Sequence, residues 1–261
     1  MRALHAGLAI ASLAAFWQVS VRLFAPPPYL LPAPAAVVSA LAERPGFFLE
    51  HSLVTLAEIL AGLLSGAVFG AAAAFGIAAL PRLGQLVWPM VLILQALPVF
   101  VLAPILVLWF GFGMASKVVM TTIIIFFPVA SAFADGLRRT DRVLLDAVSL
   151  TPATHWQALV AIRVPLALPG LISGLRVAAP LAPLGAVVGE WVGASAGLGF
   201  VMVQANARMQ TATVFAAMAI LAALTVLLRL AVDRLTAGLT PWAEETETPS
   251  FLFLRRRHPT S

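Results

Sequence analysis

Long apolar stretches dominate this chain and constrain its fold more than any other feature. A helix that spans a membrane needs about 20 mostly apolar residues, and six stretches meet this need: residues 6–24, 55–80, 83–110, 116–134, 164–188 and 211–235. Hydrophobic residues make up 61% of the chain and charged residues only 10%. The sequence therefore predicts an all-α, polytopic membrane protein with about six transmembrane helices.

Short polar or proline-rich segments divide the chain into three parts. Residues 1–51 are predicted to form the first membrane helix and an external connector, residues 52–236 the main membrane domain, and residues 237–261 a cytoplasmic tail. The connector is expected to be extended over residues 26–37, because its prolines remove helix hydrogen bonds. The first stretch could instead be a cleaved signal peptide, but the absence of a small-x-small cleavage site before Pro26 favours an uncleaved helix.

The basic residues are divided unevenly between the two sides that six spans would create. If the N-terminus is cytoplasmic, most of them fall on the cytoplasmic side, as the positive-inside rule requires. These are Arg2, Arg82, Arg138, Arg139, Arg142, Arg163, Arg229, Arg234, Arg255, Arg256 and Arg257, whereas Arg22, Arg44, Lys117 and Arg208 fall at or near the outer side. We therefore expect a multi-pass protein in membrane lipid, with both termini in the cytoplasm.

The sequence argues against metal binding, catalysis, nucleic-acid binding and phosphate binding, because the residues for each are absent or far apart. The chain has no cysteine, which removes disulfides and thiolate metal ligands. His5, His51, His155 and His258 fall in predicted loops and termini, so we expect neither a metal site nor a catalytic site. The basic residues form no extended patch with interleaved aromatics, so nucleic acid is not an expected partner. No GxxxxGK[ST] phosphate-binding loop occurs, and no cofactor is expected in this chain.

One internal segment, residues 136–165, is polar and amphipathic: GLRRTDRVLLDAVSLTPATHWQALVAIRVP. Thr140 is expected to cap a short helix that ends near Ser149, because Pro152 disfavours helical geometry before it. Thr151 is expected to cap a second short helix, with Pro152 in its first turn. Two short helices at the membrane surface suit a groove on a soluble partner better than lipid, because their basic residues do not form one face.

At this segment the chain resembles the permease subunits of binding-protein-dependent ABC importers. Their cytoplasmic signature is Glu-Ala-Ala, three residues, Gly, nine residues, Ile, one residue, Leu-Pro. The spacing is complete here although several residues differ, and the matching positions are Asp146, Ala147, Val148, Pro152, Ile162, Val164 and Pro165. Proline in place of glycine implies a differently built turn, since glycine permits a positive φ that proline forbids.

Three further segments resemble one branch of that family, which carries nitrate, sulfonates, taurine and thiamine precursors. They read LPVFVLAPILVLWFGFG from Leu97, PGLISGLRVAAPLAPLGAVVGEWVG from Pro169 and SAGLGFVMVQANARMQT from Ser195. The stretch GEWVGASAGLGFVMVQANARMQT from Gly189 is most similar to permeases for hydroxymethylpyrimidine-type thiamine precursors. The implied substrate is thus a small polar or anionic solute, with such a pyrimidine placed before a sulfonate, taurine or nitrate.

The resemblance implies a type I importer fold and alternating access driven by ATP in other subunits. The implied partners are a cytoplasmic ABC ATPase dimer that carries ATP and Mg, a periplasmic substrate-binding protein, and a second permease copy, with a homodimer favoured over a close relative. This chain would not itself be an enzyme. The implied ATPase-coupling residues are Asp146, Ala147, Val148, Pro152, Trp156, Ile162 and Pro165.

Polar groups inside the predicted spans are candidates for the substrate path, because ionisable groups are expensive in a membrane. Arg176 lies about 18 Å into the fifth span, where it either attracts an anionic substrate or, as we favour, pairs with a carboxylate or carbonyls. Glu190 is a gate, a binding-protein contact or a membrane-edge carboxylate. Gln95 can bond another helix or a ligand.

Arg176 is expected to be almost the only deep ionisable group. This expectation argues against the alternative of a secondary transporter or channel, which would carry its own coupling site in mid-membrane. The prolines and glycines of the third and fifth spans predict bent, closely packed helices along a path.

Overall fold

The computed structural model describes residues 2–96 and 98–242, and these are nearly all helical. A π-helical turn at Leu159–Arg163 and a 3-10 turn at Ala179–Leu181 each join two α-helices that are consecutive in the chain. The α-helices are α1 (Arg2–Phe24), α2 (Pro34–Glu43), α3 (Pro45–Ala79), α4 (Pro81–Ala96), α5 (Val99–Phe110), α6 (Met114–Arg138), α7 (Arg142–Ser149), α8 (His155–Ala158), α9 (Val164–Ala178), α10 (Ala182–Gly193), α11 (Leu198–Ala207) and α12 (Thr211–Thr236).

Five helical segments in the described ranges are long and apolar enough to cross a membrane. They are Gly7–Phe24, Pro45–Ala79, Met114–Arg138, His155–Gly193 and Thr211–Thr236. These segments confirm the prediction of an all-α polytopic membrane protein. Their bounds also show which predicted spans are continuous helices.

The prediction that residues 83–110 form a single kinked helix is wrong. This part of the chain forms two shorter helices, α4 and α5. Pro98 precedes α5 in an extended conformation, with φ −64° and ψ 114°. Proline has no amide hydrogen with which to continue the hydrogen bonds of α4, so the helix ends there. Pro89 and Pro104 lie inside α4 and α5 without breaking them.

Helix α6 is the centre of the bundle, and glycines on three other helices let it pack closely. Gly62, Gly66 and Gly70 of α3 lie along one side of α6, which runs parallel to α3. Gly174 of α9 and Gly185 of α10 lie against another side, with both helices antiparallel to α6. Small residues at four-residue spacing let helix backbones approach in a membrane. The glycines of the predicted fifth span thus pack against α6.

The two ends of α6 define two ends of the bundle. At the loop end, α6 is followed by α7 and α8, and at the opposite end α10 finishes and α11 begins. Helix α2 packs near the opposite end, where Val37 is buried against α11 and α12. The prediction of an extended connector over residues 26–37 is therefore wrong for its last part. Helix α2 begins at Pro34, where the missing amide hydrogen costs nothing in a first turn.

Candidate functional site

The projecting segment, which we define as residues 141–163, begins with α7 at the loop end. Its cap is Asp141, whose Oδ1 accepts a hydrogen bond from the backbone nitrogen of Val143 at 2.9 Å. The prediction that Thr140 caps this helix is wrong. The hydroxyl of Thr140 donates instead to the carbonyl oxygen of Leu137 at 3.2 Å. Helix α7 ends at Ser149, as predicted.

Helix α8 starts later than the sequence predicts. Its cap is Thr154, which forms a capping box with Gln157, and the backbone nitrogen of Thr154 donates to Oε1 of Gln157 at 2.8 Å. Thr151 is not the cap, because its hydroxyl donates backward to the carbonyl oxygen of Val148 at 2.7 Å. Pro152 consequently lies in the turn between the helices rather than in the first turn of α8. This turn is built without a residue of positive φ.

The projecting segment exposes several large apolar side chains among its polar ones. Val143 is 71% exposed, Leu150 89% and Trp156 56%. Large exposed apolar side chains that lie together are typical of a surface that a partner covers. Of the predicted coupling residues, Asp146, Ala147, Pro152 and Trp156 are exposed, and Val148, Ile162 and Pro165 are half-buried.

The inner surface of the projecting segment is fixed to the bundle. The Trp156 ring packs edge-to-face on Phe75 of α3, with centroids 5.5 Å apart. Leu159 is fully buried among residues of α3, α6 and α9. Arg163 donates from Nη2 to the carbonyl oxygen of Leu137 at 2.9 Å and from Nε to the same oxygen at 3.2 Å. Packing and hydrogen bonds therefore hold the segment against the ends of α6 and α9.

Arg176, a predicted substrate-path residue, lies against α12. Its Nε is 3.3 Å from Oδ1 of Asp233 and 3.3 Å from Oγ1 of Thr236. Arg229 donates to the other carboxylate oxygen of Asp233 at 2.9 Å and to the backbone carbonyl of Arg176. Both arginines thus join α9 to α12. The side chain of Gln95, another predicted path residue, lies outside the described residues.

Glu190 lies inside the bundle, among five residues that we call the buried polar cluster. The cluster consists of His51, Thr55 and Glu58 of α3, Lys117 of α6 and Glu190 of α10. Its carboxylates and lysine are almost fully buried, at 3% exposure for Glu58, 1% for Lys117 and 2% for Glu190. The expectation that Arg176 is almost the only deep ionisable group is therefore wrong, and so is the placement of His51 in a loop.

The cluster holds the connection between α10 and α11. The backbone nitrogen of Gly197 donates to Nδ1 of His51 at 3.0 Å, and that of Leu198 donates to Oγ1 of Thr55 at 2.7 Å. The backbone nitrogen of Gly199 donates to Oε2 of Glu190. Three successive amides at the start of α11 are thereby satisfied inside the bundle.

Sequence reasoning missed Glu58 and Lys117, although a signal for each was present. Glu58 is an isolated acidic residue in an apolar stretch, and a charge at such depth marks a functional or structural site. Lys117 falls at the start of a predicted span, where an interfacial position was the simpler interpretation. Gly189 of α10 lies against it, and a Cβ at that position would come within 3.0 Å of Cγ of Lys117 and crowd the lysine.

A groove runs along the exposed side of α6. Its volume is about 1000 Å³, and its wall is mainly apolar, with a few hydroxyl-bearing residues and Asp135 among its lining residues. Ligand sites often combine apolar and aromatic walls with a few polar groups. Residues from α3, α6 and α9 contribute Phe69, Thr122, Phe126, Phe127, Ser131 and Ser173 to the wall.

An all-helical membrane bundle with an apolar projection at one end is typical of the membrane subunit of a larger transport assembly. Residues 66–244 match the family described as the binding-protein-dependent transport system inner membrane component, and this chain belongs to that family. The resemblance predicted from the sequence is confirmed. The chain is therefore a membrane-embedded permease component of an ABC importer, and the family works with an ATPase and a substrate-binding protein.

Two curated relatives cover nearly the whole chain. A probable ABC transporter permease protein of Haemophilus influenzae is 44% identical over 89% of this chain and 95% of its own length. The formylaminopyrimidine transport permease protein ThiX of Halalkalibacterium halodurans is 36% identical over 94% of this chain and 98% of its own length.

A solved structure shares the fold. It is a chain from inward-facing conformations of the MetNI methionine ABC transporter, with a TM-score of 0.65 and 21% identity. The likeness covers 74% of this chain and 96% of that chain. The fold prediction of a type I importer permease is confirmed.

Proposed function

We propose that this permease imports a small pyrimidine precursor of thiamine, and that its projecting segment docks on the ATPase. The observation that carries the docking proposal is the exposure of the large apolar side chains Val143 and Leu150, together with the half-exposed Trp156, on the projecting segment. A soluble partner with an apolar groove would remove this surface from water. The contacts of Leu159 and Arg163 would then pass the partner's movement to α6 and α9.

The assembly that we propose has two copies of this chain, an ATPase dimer that holds ATP and Mg, and a binding protein. The loop end and both termini would face the cytoplasm of a bacterium, in agreement with the excess of arginine on that side. The binding protein would deliver substrate at the opposite end. ATP binding would open the path outward, and hydrolysis would return it to the inward-open state.

Two observations support a pyrimidine as the substrate. The relative ThiX is named for formylaminopyrimidine transport and is 36% identical to this chain. The groove on α6 offers phenylalanine rings for stacking and hydroxyl groups for hydrogen bonding. We favour this groove over Arg176 and Glu190 for substrate contact, because those two side chains are already engaged by Asp233 and Thr55.

Docking can be tested by co-purification of the permease with its cognate ABC ATPase. Leu150→Asp should abolish co-purification, because a charge would replace the most exposed apolar side chain of the segment. The matched control is Leu239→Asp, which changes another exposed leucine, one that follows α12. Retention of the ATPase by Leu150→Asp would contradict docking through this segment.

The substrate can be tested with the purified binding protein and the reconstituted importer. We expect uptake of a formylaminopyrimidine or hydroxymethylpyrimidine. Taurine, an alkanesulfonate, nitrate and riboflavin serve as competitors, the last to test a larger fused ring. Uptake of a sulfonate or nitrate but no pyrimidine would overturn the substrate assignment and leave the docking result unaffected.

A further inference from the structure

Glu58 and Glu190 meet inside the bundle, although each is an acid that water would ionise. Glu58 lies three residues after Thr55 and so on the same side of α3, and the hydroxyl oxygen of Thr55 is 2.6 Å from Oε1 of Glu190. The two glutamates come from α3 and α10 and are almost completely shielded from solvent. Two adjacent buried carboxylates cannot both stay ionised without a large cost, as paired carboxyls in other proteins show.

Glu190 has the contacts of an ionised carboxylate. Its Oε1 accepts the hydroxyl hydrogen of Thr55 at 2.6 Å, and its Oε2 accepts the backbone amide of Gly199. The Thr55 oxygen also accepts the amide of Leu198 at 2.7 Å, and Glu190 is a nearer acceptor for the Thr55 hydroxyl than the carbonyl oxygen of His51 at 3.2 Å. Both oxygens of Glu190 are thus acceptors, which an unprotonated carboxylate satisfies.

Glu58 has the opposite pattern. Its Oε2 is buried and receives no hydrogen bond from any residue that the structure describes. A carboxylate oxygen left in this condition is costly, whereas a protonated carboxyl can donate its hydrogen to Glu190. The geometry therefore favours an un-ionised Glu58 beside an ionised Glu190.

The other titratable groups in the cluster balance only one negative charge. Lys117 of α6 donates to the carbonyl oxygens of Phe112, at 2.6 Å, and Gly193. His51 of α3 accepts an amide hydrogen at Nδ1, so that its ring is neutral with the hydrogen on Nε2. The positive charge of the lysine balances the negative charge of one carboxylate. A second ionised carboxylate would leave an unbalanced buried charge.

We propose that Glu58 holds one proton, which it shares with Glu190, and that this proton completes the contact joining α3, α10 and the start of α11. The cluster is a proton-binding site at the end of the bundle opposite the projecting segment. It is neutral with the proton bound and carries one negative charge without it. This assignment stands independently of the substrate and of the ATPase contact.

Infrared spectroscopy of the purified permease in lipid nanodiscs at neutral pH tests the proposal. The wild type should show the carbonyl-stretch band of a protonated carboxyl. Glu58→Gln should lose this band, because the amide donates to Glu190 without a titratable proton. Glu190→Gln should lose it too, because Glu58 can then ionise opposite Lys117. Glu50→Gln, an exposed acid on α3, is the matched control and should keep the band.

The infrared results do not depend on whether the permease transports a pyrimidine or binds the ATPase. No protonated-carboxyl band in the wild type would overturn the proposal, and so would a band that persists in both Glu58→Gln and Glu190→Gln. If neither variant folds, the presence or absence of the protonated-carboxyl band in the wild type decides the proposal. As a second measurement, the band should disappear when pH is raised far enough to remove the proton, and the thermal unfolding temperature of the wild type should fall over the same range. The Glu58→Gln variant should lack this pH-linked fall.

Discussion

The guanidinium of Arg163 closes over the end of α6 by donating two hydrogen bonds to the carbonyl oxygen of Leu137, at 2.9 Å and 3.2 Å. That carbonyl belongs to the last turn of α6, where helix oxygens lack partners within the helix. Arg163 itself ends the π-helical turn that leads into α9. One side chain thus joins the projecting segment to the end of α6 and the start of α9.

Arg163→Ala should weaken the transmission of movement from the ATPase to the bundle. A hydrogen bond to a charged group contributes about 1.5–3 kcal/mol, and its loss leaves the end of α6 free to shift. In reconstituted importer we expect uptake per ATP hydrolysed to fall severalfold while ATPase binding persists. Arg139→Ala removes an exposed arginine at the same end and should have little effect. An unchanged ratio in Arg163→Ala would contradict the role of this contact.

The close approach of α10 to α6 depends on Gly185. A Cβ at that position would lie 2.7 Å from Cα of Thr121, and backbone cannot yield as a flexible side chain does. Gly185→Ala should therefore destabilise the bundle by about 1–3 kcal/mol, measured as a lower thermal unfolding temperature in detergent. Gly76→Ala provides the control, because nothing lies within 4 Å of its added Cβ. Equal unfolding temperatures for the two variants would refute the packing argument.

Much of this fold could be predicted from the sequence, because a membrane helix is specified locally by length and hydropathy. The break at Pro98 was harder to predict, since Pro89 and Pro104 occur in the same stretch and are tolerated inside helices. Neighbouring groups decide whether a proline kinks or ends a membrane helix. The helix caps at Asp141 and Thr154 were each missed by one to three residues, where several polar residues compete for the same amides.

Arg176 should affect the stability of the bundle more than its affinity for substrate. Its ion pair with Asp233 joins α9 to α12, and both side chains are partly exposed, so we expect only a modest loss of stability. Arg176→Gln should lower the maximal uptake rate and the unfolding temperature while leaving the KM for substrate unchanged. A raised KM with unchanged stability would instead identify Arg176 as a substrate contact.

Position 197 requires a glycine because of its backbone conformation and because the Glu190 side chain lies against it. Its φ of +107° is one that side chains rarely adopt, and an added Cβ would overlap the Glu190 carboxylate. Gly197→Ala should displace the start of α11 and reduce stimulation of the ATPase by the loaded binding protein at least severalfold. Gly46→Ala, whose Cβ meets nothing within 4 Å, is the control. Full stimulation in Gly197→Ala would contradict a structural role for this connection.

The buried polar cluster could not be predicted as a unit, because its members come from helices that are distant in the sequence. Glu58 and Glu190 are brought together by the packing of α3 and α10, and the buried Lys117 is contributed by α6. The positions of single residues give no information on which helix faces meet. The projecting segment was predictable for the opposite reason, since its signature lies in consecutive residues.

The most direct test of the account is uptake into proteoliposomes that contain the permease, the ATPase and the loaded binding protein. We predict accumulation of a pyrimidine precursor only when ATP is supplied, and its loss in Asp146→Lys, which reverses a charge on the exposed surface of α7. Uptake by the permease alone, without ATP or the ATPase, would contradict the account and would place the energy source within the membrane helices.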